Sequence, residues 1–113
     1  MTNAQIVSAI NTIQKIKSED RDLPFKLSFA LNKNFKNLID VYKIYEQTLS
    51  EKGIVGLSEK QLNDLPKDKK EELNALRNTD VDISLFKVNS SDIGNACLSI
   101  SEAEFIQNYM MEN

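Results

Sequence analysis

Between positions 27 and 49 the chain reads LSFALNKNFKNLIDVYKIYEQTL, and Leu31, Phe35, Leu38, Tyr42, Tyr45 and Leu49 recur at intervals of four, three, four, three and four. That spacing returns one side of a helix to the same face on every turn. Pro24 fits the first helical turn, where a missing N–H costs nothing, and Gly53 is a natural stop. The pattern therefore predicts one helix over residues 24–52, ~43 Å long at 1.5 Å per residue. A compact domain of this chain length has a radius of gyration near ~13 Å, so such a rod spans or overhangs the rest.

A second isoleucine stripe precedes it. Ile6, Ile10, Ile13 and Ile16, with Val7 beside them, predict a helix over 3–17, closed by the polar break Ser18-Glu19-Asp20-Arg21-Asp22. Downstream of a turn at Gly53-Ile54-Val55-Gly56, residues 58–64 read as a short helix. Beyond Pro66, residues 67–77 read as a highly charged helix with Leu73 and Leu76 as its apolar positions. Val81, Ile83 and Leu85 then alternate with polar residues, as a half-buried strand requires. Ala96, Leu98 and Ile100 alternate likewise and offer a second strand, with residues 89–92 as the loop between. A last helix over 102–111 carries Phe105, Ile106, Tyr109 and Met110 on one side. Three S/T-x-x-E/Q patterns mark helix starts by reciprocal capping: Thr2 to Gln5, Ser58 to Gln61 and Ser101 to Glu104. The expected fold is α+β in a single domain over 1–113: a long helical hairpin, a small antiparallel strand pair and a short C-terminal helix.

Composition narrows the chemistry more than it suggests a function. The 113 residues are 41% hydrophobic and 27% charged, a globular profile. There is no signal-peptide pattern and no run of ~20 apolar residues for a membrane span. Cys97, the single cysteine, has no internal disulfide partner, which fits a reducing compartment; the expected location is the cytoplasm. Histidine is absent altogether, removing the commonest general base and metal ligand. No glycine-rich phosphate loop is present. Glu71/Glu72 and Asp80/Asp82 are carboxylate pairs without a second acidic cluster at motif spacing, and read as surface charge. Cys97 lacks a histidine to activate it and reads as a small buried hydrophobe. The expectation is accordingly no catalytic residue, no cofactor and no metal.

Charge is unevenly placed. Residues 1–50 carry seven Lys/Arg against five Asp/Glu, and residues 51–113 seven against twelve. Lys26, Lys33, Lys36 and Lys43 form a shallow basic strip on the long helix. A solvated face explains it better than nucleic acid, whose binders concentrate more positive charge. Phe25, Phe29 and Phe35 on the same helix suit base stacking, but beside leucines they read as core.

The stripe from Leu31 to Leu49 has three candidate covers: the first helix, a second copy of the chain, or a foreign partner. An intramolecular hairpin is favoured. Six such residues stabilise by roughly 1.5–3 kcal/mol each on full burial, too much apolar surface to leave in water. The first helix is too short to reach Tyr42, Ile44, Tyr45 and Leu49, so that end needs the 58–77 segment, the C-terminal helix or a partner. Tyrosines suit a half-wet interface.

Thr2-Asn3-Ala4-Gln5-Ile6-Val7, the run Leu23-Pro24-Phe25-Lys26-Leu27-Ser28-Phe29-Ala30-Leu31-Asn32-Lys33-Asn34, Tyr42-Lys43-Ile44-Tyr45-Glu46, and Val81-Asp82-Ile83 ahead of an acidic helix cover most of the chain. In this pattern the chain resembles a family of small proteins encoded by tailed phages and prophages of Firmicutes and related bacteria. The resemblance rests on no catalytic motif; it implies a phage context and carries no activity with it. The expected function is a non-enzymatic protein that binds a host or phage protein in the host cytoplasm, inhibiting a host defence enzyme or modulating a host factor by covering its surface. Tyr42, Tyr45, Glu46 and Leu49 are the expected contacts. The alternative is a virion-assembly component, a connector or chaperone that oligomerises through the long helix. The third reading is a nucleic-acid-binding accessory protein using Lys26, Lys33, Lys36 and Lys43.

Overall fold

The computed structural model describes residues 1–19, 21–54 and 56–111. Asp20 of the expected polar break and Val55 of the expected turn lie outside them. Among these residues six helices follow in order: α1 (Asn3–Ser18), α2 (Phe25–Glu51), α3 (Glu59–Asn63), α4 (Lys67–Arg77), α5 (Ser90–Ile93) and α6 (Ile100–Tyr109).

α2 is the unbroken rod that the stripe predicts. Its 27 residues make ~40 Å at 1.5 Å each, which accounts for most of the molecule's 49 Å long dimension. The radius of gyration, 16.3 Å, exceeds the ~13 Å of a compact domain for the same reason. At its end Gly53 takes a left-handed φ of 69°, its N–H donating to Ser50 O and the Ile54 N–H to Leu49 O at 2.9 Å. This paired closure satisfies two orphan carbonyls and folds Ile54 back over Leu49.

α1 is the hub. It packs along α2 and also touches α4 and α6. Ile6, Ala9, Ile10, Ile13 and Ile16 on α1 meet Leu27, Ala30, Leu31 and Leu38 on α2, with Phe105, Ile106 and Met110 of the C-terminal region closing the same core. The capping boxes at Thr2–Gln5 and Ser58–Gln61 form as expected. The third does not. α6 starts two residues earlier, capped by Ser99 and Glu102, because Ser99-Ile100-Ser101-Glu102 fits the same pattern and sets Glu102 against the half-buried Arg21.

The expected α+β fold is corrected to an all-helical one: no strand and no sheet occurs among the described residues, which are 67% helical. The alternation at 81–85 does mark burial, with Leu85 buried and Val81 and Ile83 half-buried, while Val88, out of phase with it, is buried as well. The backbone partners of 81–88, however, are scattered over other elements. Val81 N–H donates to Met1 O at 2.7 Å. Phe86 N–H donates to Asn34 Oδ1 at 2.6 Å while Asn34 Nδ2 donates to Phe86 O at 3.1 Å. Val88 N–H donates to Met110 O at 2.7 Å. Only isolated bridges result, Thr2 with Asp80 and Val88 with Met111. The Asn34 amide, fully buried on α2, therefore stands in for one rung of a ladder and removes the need for a second strand. The expected second strand becomes irregular chain leading into α6, with Ile100 82% exposed, and the expected loop at 89–92 is largely taken up by the single turn α5.

Asn34→Ala leaves the Phe86 N–H and C=O without their partner. It is expected to destabilise the fold by about 1–3 kcal/mol, measured by urea unfolding, and to speed hydrogen exchange at the Phe86 amide. Stability and exchange equal to wild type would show that the amide pair is dispensable.

Candidate functional site

Two features of the sequence build an apolar groove at the far end of α2. The first is the closure described above, which keeps Leu49 and Ile54 together. The second is the anchoring of α4. Pro66 sets its start, and Asn3 of α1, a buried side chain, donates through Nδ2 to Leu76 O at 2.8 Å. Asn3 N–H also donates to Thr79 O at 3.2 Å. Both bonds satisfy carbonyls around the C-terminal end of α4, and so fix Leu73 and Leu76 beside the end of α2. Thr48, Leu49, Lys52, Ile54, Glu72, Leu73, Ala75, Leu76 and Thr79 line the resulting groove, whose volume is about 360 Å³. Lys52 and Glu72 are charged and exposed and mark its polar rim.

The structure places the expected contact residues around this end with different exposures. Leu49 is half-buried and lines the groove. Glu46 is exposed. Tyr45 is buried, at 9% exposure, and Tyr42 is half-buried against the main core. Their rings lie 6.2 Å apart at a tilt of 48°. Burial raises the Tyr42 phenol above its ordinary pKa, and the Glu46 carboxylate one turn away raises it further. Tyr45 thus offers a partner little surface, while Leu49 and Glu46 remain available. Leu73 and Leu76, read from sequence only as the apolar positions of a charged helix, complete the groove. The spacing on α4 signalled that they face inward; nothing local signalled that Asn3 would bring them to α2.

The four lysines are exposed, but they do not act as one strip. Lys26 reaches Asp92 of α5 at 3.4 Å. Asp92, which accepts from Asn89 N–H and lies beside Lys26, is held below the usual carboxylate range. Lys33, Lys36 and Lys43 share the outer face of α2 with the acid Asp40. Phe25 and Phe29, expected in the core, lie on this face instead, 96% and 54% exposed. Phe29 packs edge-to-face with Phe86, ring centroids 5.4 Å apart. Phe35 is half-buried with Lys17 Nζ 4.7 Å above its ring. Ile44 is also exposed, at 67%.

The most perturbed ionisable pair is structural. Arg21, in the segment between α1 and α2, clamps Glu102 through two bonds, Nη1 to Oε1 at 2.6 Å and Nη2 to Oε2 at 3.1 Å, and also pairs with Glu19. Ser99 N–H donates to Glu102 Oε1 at 2.8 Å. The Arg21 guanidinium, ahead of the Ser99 bonds and against the cost of burial, holds the Glu102 carboxyl at about 2, and Arg21 in turn is stabilised in its charged form. A carboxylate so strongly held is no proton acceptor near neutrality. Its role is to join the α1–α2 connection to α6. Cys97, expected buried, is exposed nearby, with only its carbonyl accepting from Arg21.

Among the described residues no helix is long and apolar enough to cross a membrane, and no cluster of potential metal ligands occurs. Compared with known protein families, curated proteins and solved structures, the chain matches none.

A carboxyl held at about 2 against 4.5 when free contributes stability that is complete above about pH 4.5 and lost as pH falls through about 2. Glu102→Gln is expected to cost about 1.5–3 kcal/mol at neutral pH, the range for a charge-assisted hydrogen bond, and to flatten the loss of melting temperature between pH 4.5 and 2. Wild type and variant falling in parallel over that window would assign the acid sensitivity to other carboxylates.

Proposed function

We propose that the protein acts without catalysis, by binding a partner protein that inserts an apolar side chain into the groove between α2 and α4. The observation that supports this is the groove itself: a leucine- and isoleucine-lined recess of about 360 Å³ with a charged residue of each sign at its margin. That is the arrangement of an interface hot spot, an apolar centre inside a polar rim. The volume falls at the small end for ligand pockets and suits one or two side chains. Leu49, named from sequence, lies inside it, and Glu46 stands exposed on the approach. In the phage setting that the resemblance implies, the bound protein belongs to the host or the phage, and covering its surface inhibits or redirects it inside the infected cell.

A second reading, assembly of copies into a larger particle through α2, draws on a different observation, the open outer face of that helix. The third, nucleic-acid binding through its lysines, is weakened by Asp40 among them and by Asp92 pairing with Lys26.

Ala75 is exposed yet lines the groove, so Ala75→Arg fills the recess without touching the core. The immobilised protein is expected to capture a specific protein from host extract. The variant is expected to bind that protein at least ~10-fold more weakly, a hot-spot effect, with unchanged helical content. Equal capture by both would place the binding surface elsewhere.

A further inference from the structure

We propose that the partner presents a basic amphipathic helix to the groove between α2 and α4. This rests on the partner-binding role argued above and adds the chemistry of what binds. The groove is longer than its recess. Ile44, Thr48 and Lys52 follow at steps of four along α2, so they share one row of the helix surface. Thr48 and Lys52 line the groove, and Ile44, 67% exposed, stands one turn before Thr48 on that row. A second apolar foothold therefore lies ~6 Å along α2 from the recess, at 1.5 Å per residue. Apolar side chains at positions i and i+4 of a docking helix have the same separation. One fills the recess of Leu49, Ile54, Leu73 and Leu76, and the other covers Ile44. An extended segment also spaces alternate side chains by ~7 Å, but it turns the residues between them away from both walls. The charge lies on those walls.

Asp68, Glu72 and Ala75 follow at steps of four and three. Glu72 and Ala75 line the groove, which puts Asp68 on the same wall of α4, one turn before Glu72. The cations of α4 are placed differently. Lys70 and Arg77 line a separate recess against α3, and Lys67 lies one turn before Lys70 on that side. Lys69 shares the inward stripe of Leu73 and Leu76 and is half-buried. On α2, Glu51 follows Ile44 at a step of seven and stands beside Lys52. Among the described residues Glu51, Asp68 and Glu72 have no ion-pair partner, whereas Asp80, next to Thr79, is already paired with the N-terminal amine. Counting Lys52 and Lys69 against Glu51, Asp68, Glu71 and Glu72, the margin carries two positive charges and four negative ones. A helix with lysine or arginine on both sides of its apolar stripe meets Asp68 and Glu72 on one wall and Glu51 on the other. An acidic helix meets like charge on both.

The test uses the full chain and two labelled peptides of about 18 residues, long enough to hold a helix in water. One is built of leucine and lysine with its leucines in an i, i+4 stripe; its counterpart carries glutamate in place of every lysine. Fluorescence anisotropy is expected to show binding of the lysine peptide, weakening as salt is raised, and none of the glutamate peptide. Asp68→Lys with Glu72→Lys is expected to weaken that binding at least ~10-fold through like-charge contact. Asp22→Lys with Glu104→Lys makes the same change in net charge at exposed sites outside the groove and is expected to leave it within ~2-fold, because remote exposed charges are screened. Ala75→Gln fills the recess without altering charge and is expected to weaken it at least ~10-fold. All five positions are exposed, and circular dichroism checks that helicity is intact. Equal binding of both peptides, lost in Ala75→Gln, overturns the basic partner and keeps the groove as a binding site. Binding of the lysine peptide indifferent to Ala75→Gln overturns the groove with it. Binding of neither peptide, or equal weakening by the two double reversals, also overturns the proposal. Self-association of the chain that Glu72→Lys abolishes does so too, and gives the groove to a second copy.

Discussion

The 27-residue helix α2 is the one element along which the rest of the chain is arranged, and its burial is one-sided. The chain covers one side of α2 and leaves the other. Leu27, Ala30, Leu31 and Leu38 are buried to the last few per cent under α1 and the C-terminal region, whereas Phe25, Phe29 and Ile44 stand in solvent on the same helix. The asymmetry follows from helix length. α1 has 16 residues, enough to cover the first part of the inner face, and α4 reaches the far end because Asn3 and the backbone around Thr79 tie it to the start of α1. α4 and α6 take their places by packing on α1, which lies along this rod, and α5 packs on the rod itself.

Polar side chains, rather than a sheet, join the remaining pieces. Asn34 pairs with both backbone groups of Phe86, and Glu102 binds Arg21 and caps α6 together. Both side chains are almost fully buried, where an unpartnered amide or carboxylate would be strongly destabilising. Each is useful because its bonds are complete: no buried side-chain nitrogen or oxygen among the described residues lacks a partner. The ordering of the 81–88 segment is therefore a matter of a few specific bonds and the burial of Leu85 and Val88. Such a segment tolerates surface change well and loses its position when one of those bonds is removed.

What could be read from the chain divides along the same line. The 3–4 spacing located α1 and α2 nearly to the residue, the bounds 67–77 of α4 were read correctly beyond Pro66, and alternation marked Val81, Ile83 and Leu85 as turning inward but not the out-of-phase Val88. These are local signals, and helix periodicity and caps are written locally. The errors all concern partners at long range. Alternation cannot say whether a backbone bonds to a strand or to an asparagine 52 positions away, so the sheet was wrongly inferred. Ser99 and Ser101 both fit the capping pattern, and the choice between them depended on Arg21, 81 residues from Glu102. Phe25 and Phe29 resemble core because phenylalanine usually is; only the absence of a covering element places them outside. The groove was half legible, with Leu49 and the α4 leucines known separately and their meeting set by Asn3.

α2 is a sided rod with an apolar recess at one end, and the account rests on that sidedness. Hydroxyl-radical footprinting of the dilute protein, read residue by residue by mass spectrometry, measures it directly. Heavy modification of Phe25 and Ile44 with Tyr45, Phe105 and Met110 protected is the predicted result. Comparable modification of Tyr45 and Phe25 would contradict it, since the far end of α2 would then be uncovered and the groove would not exist as described.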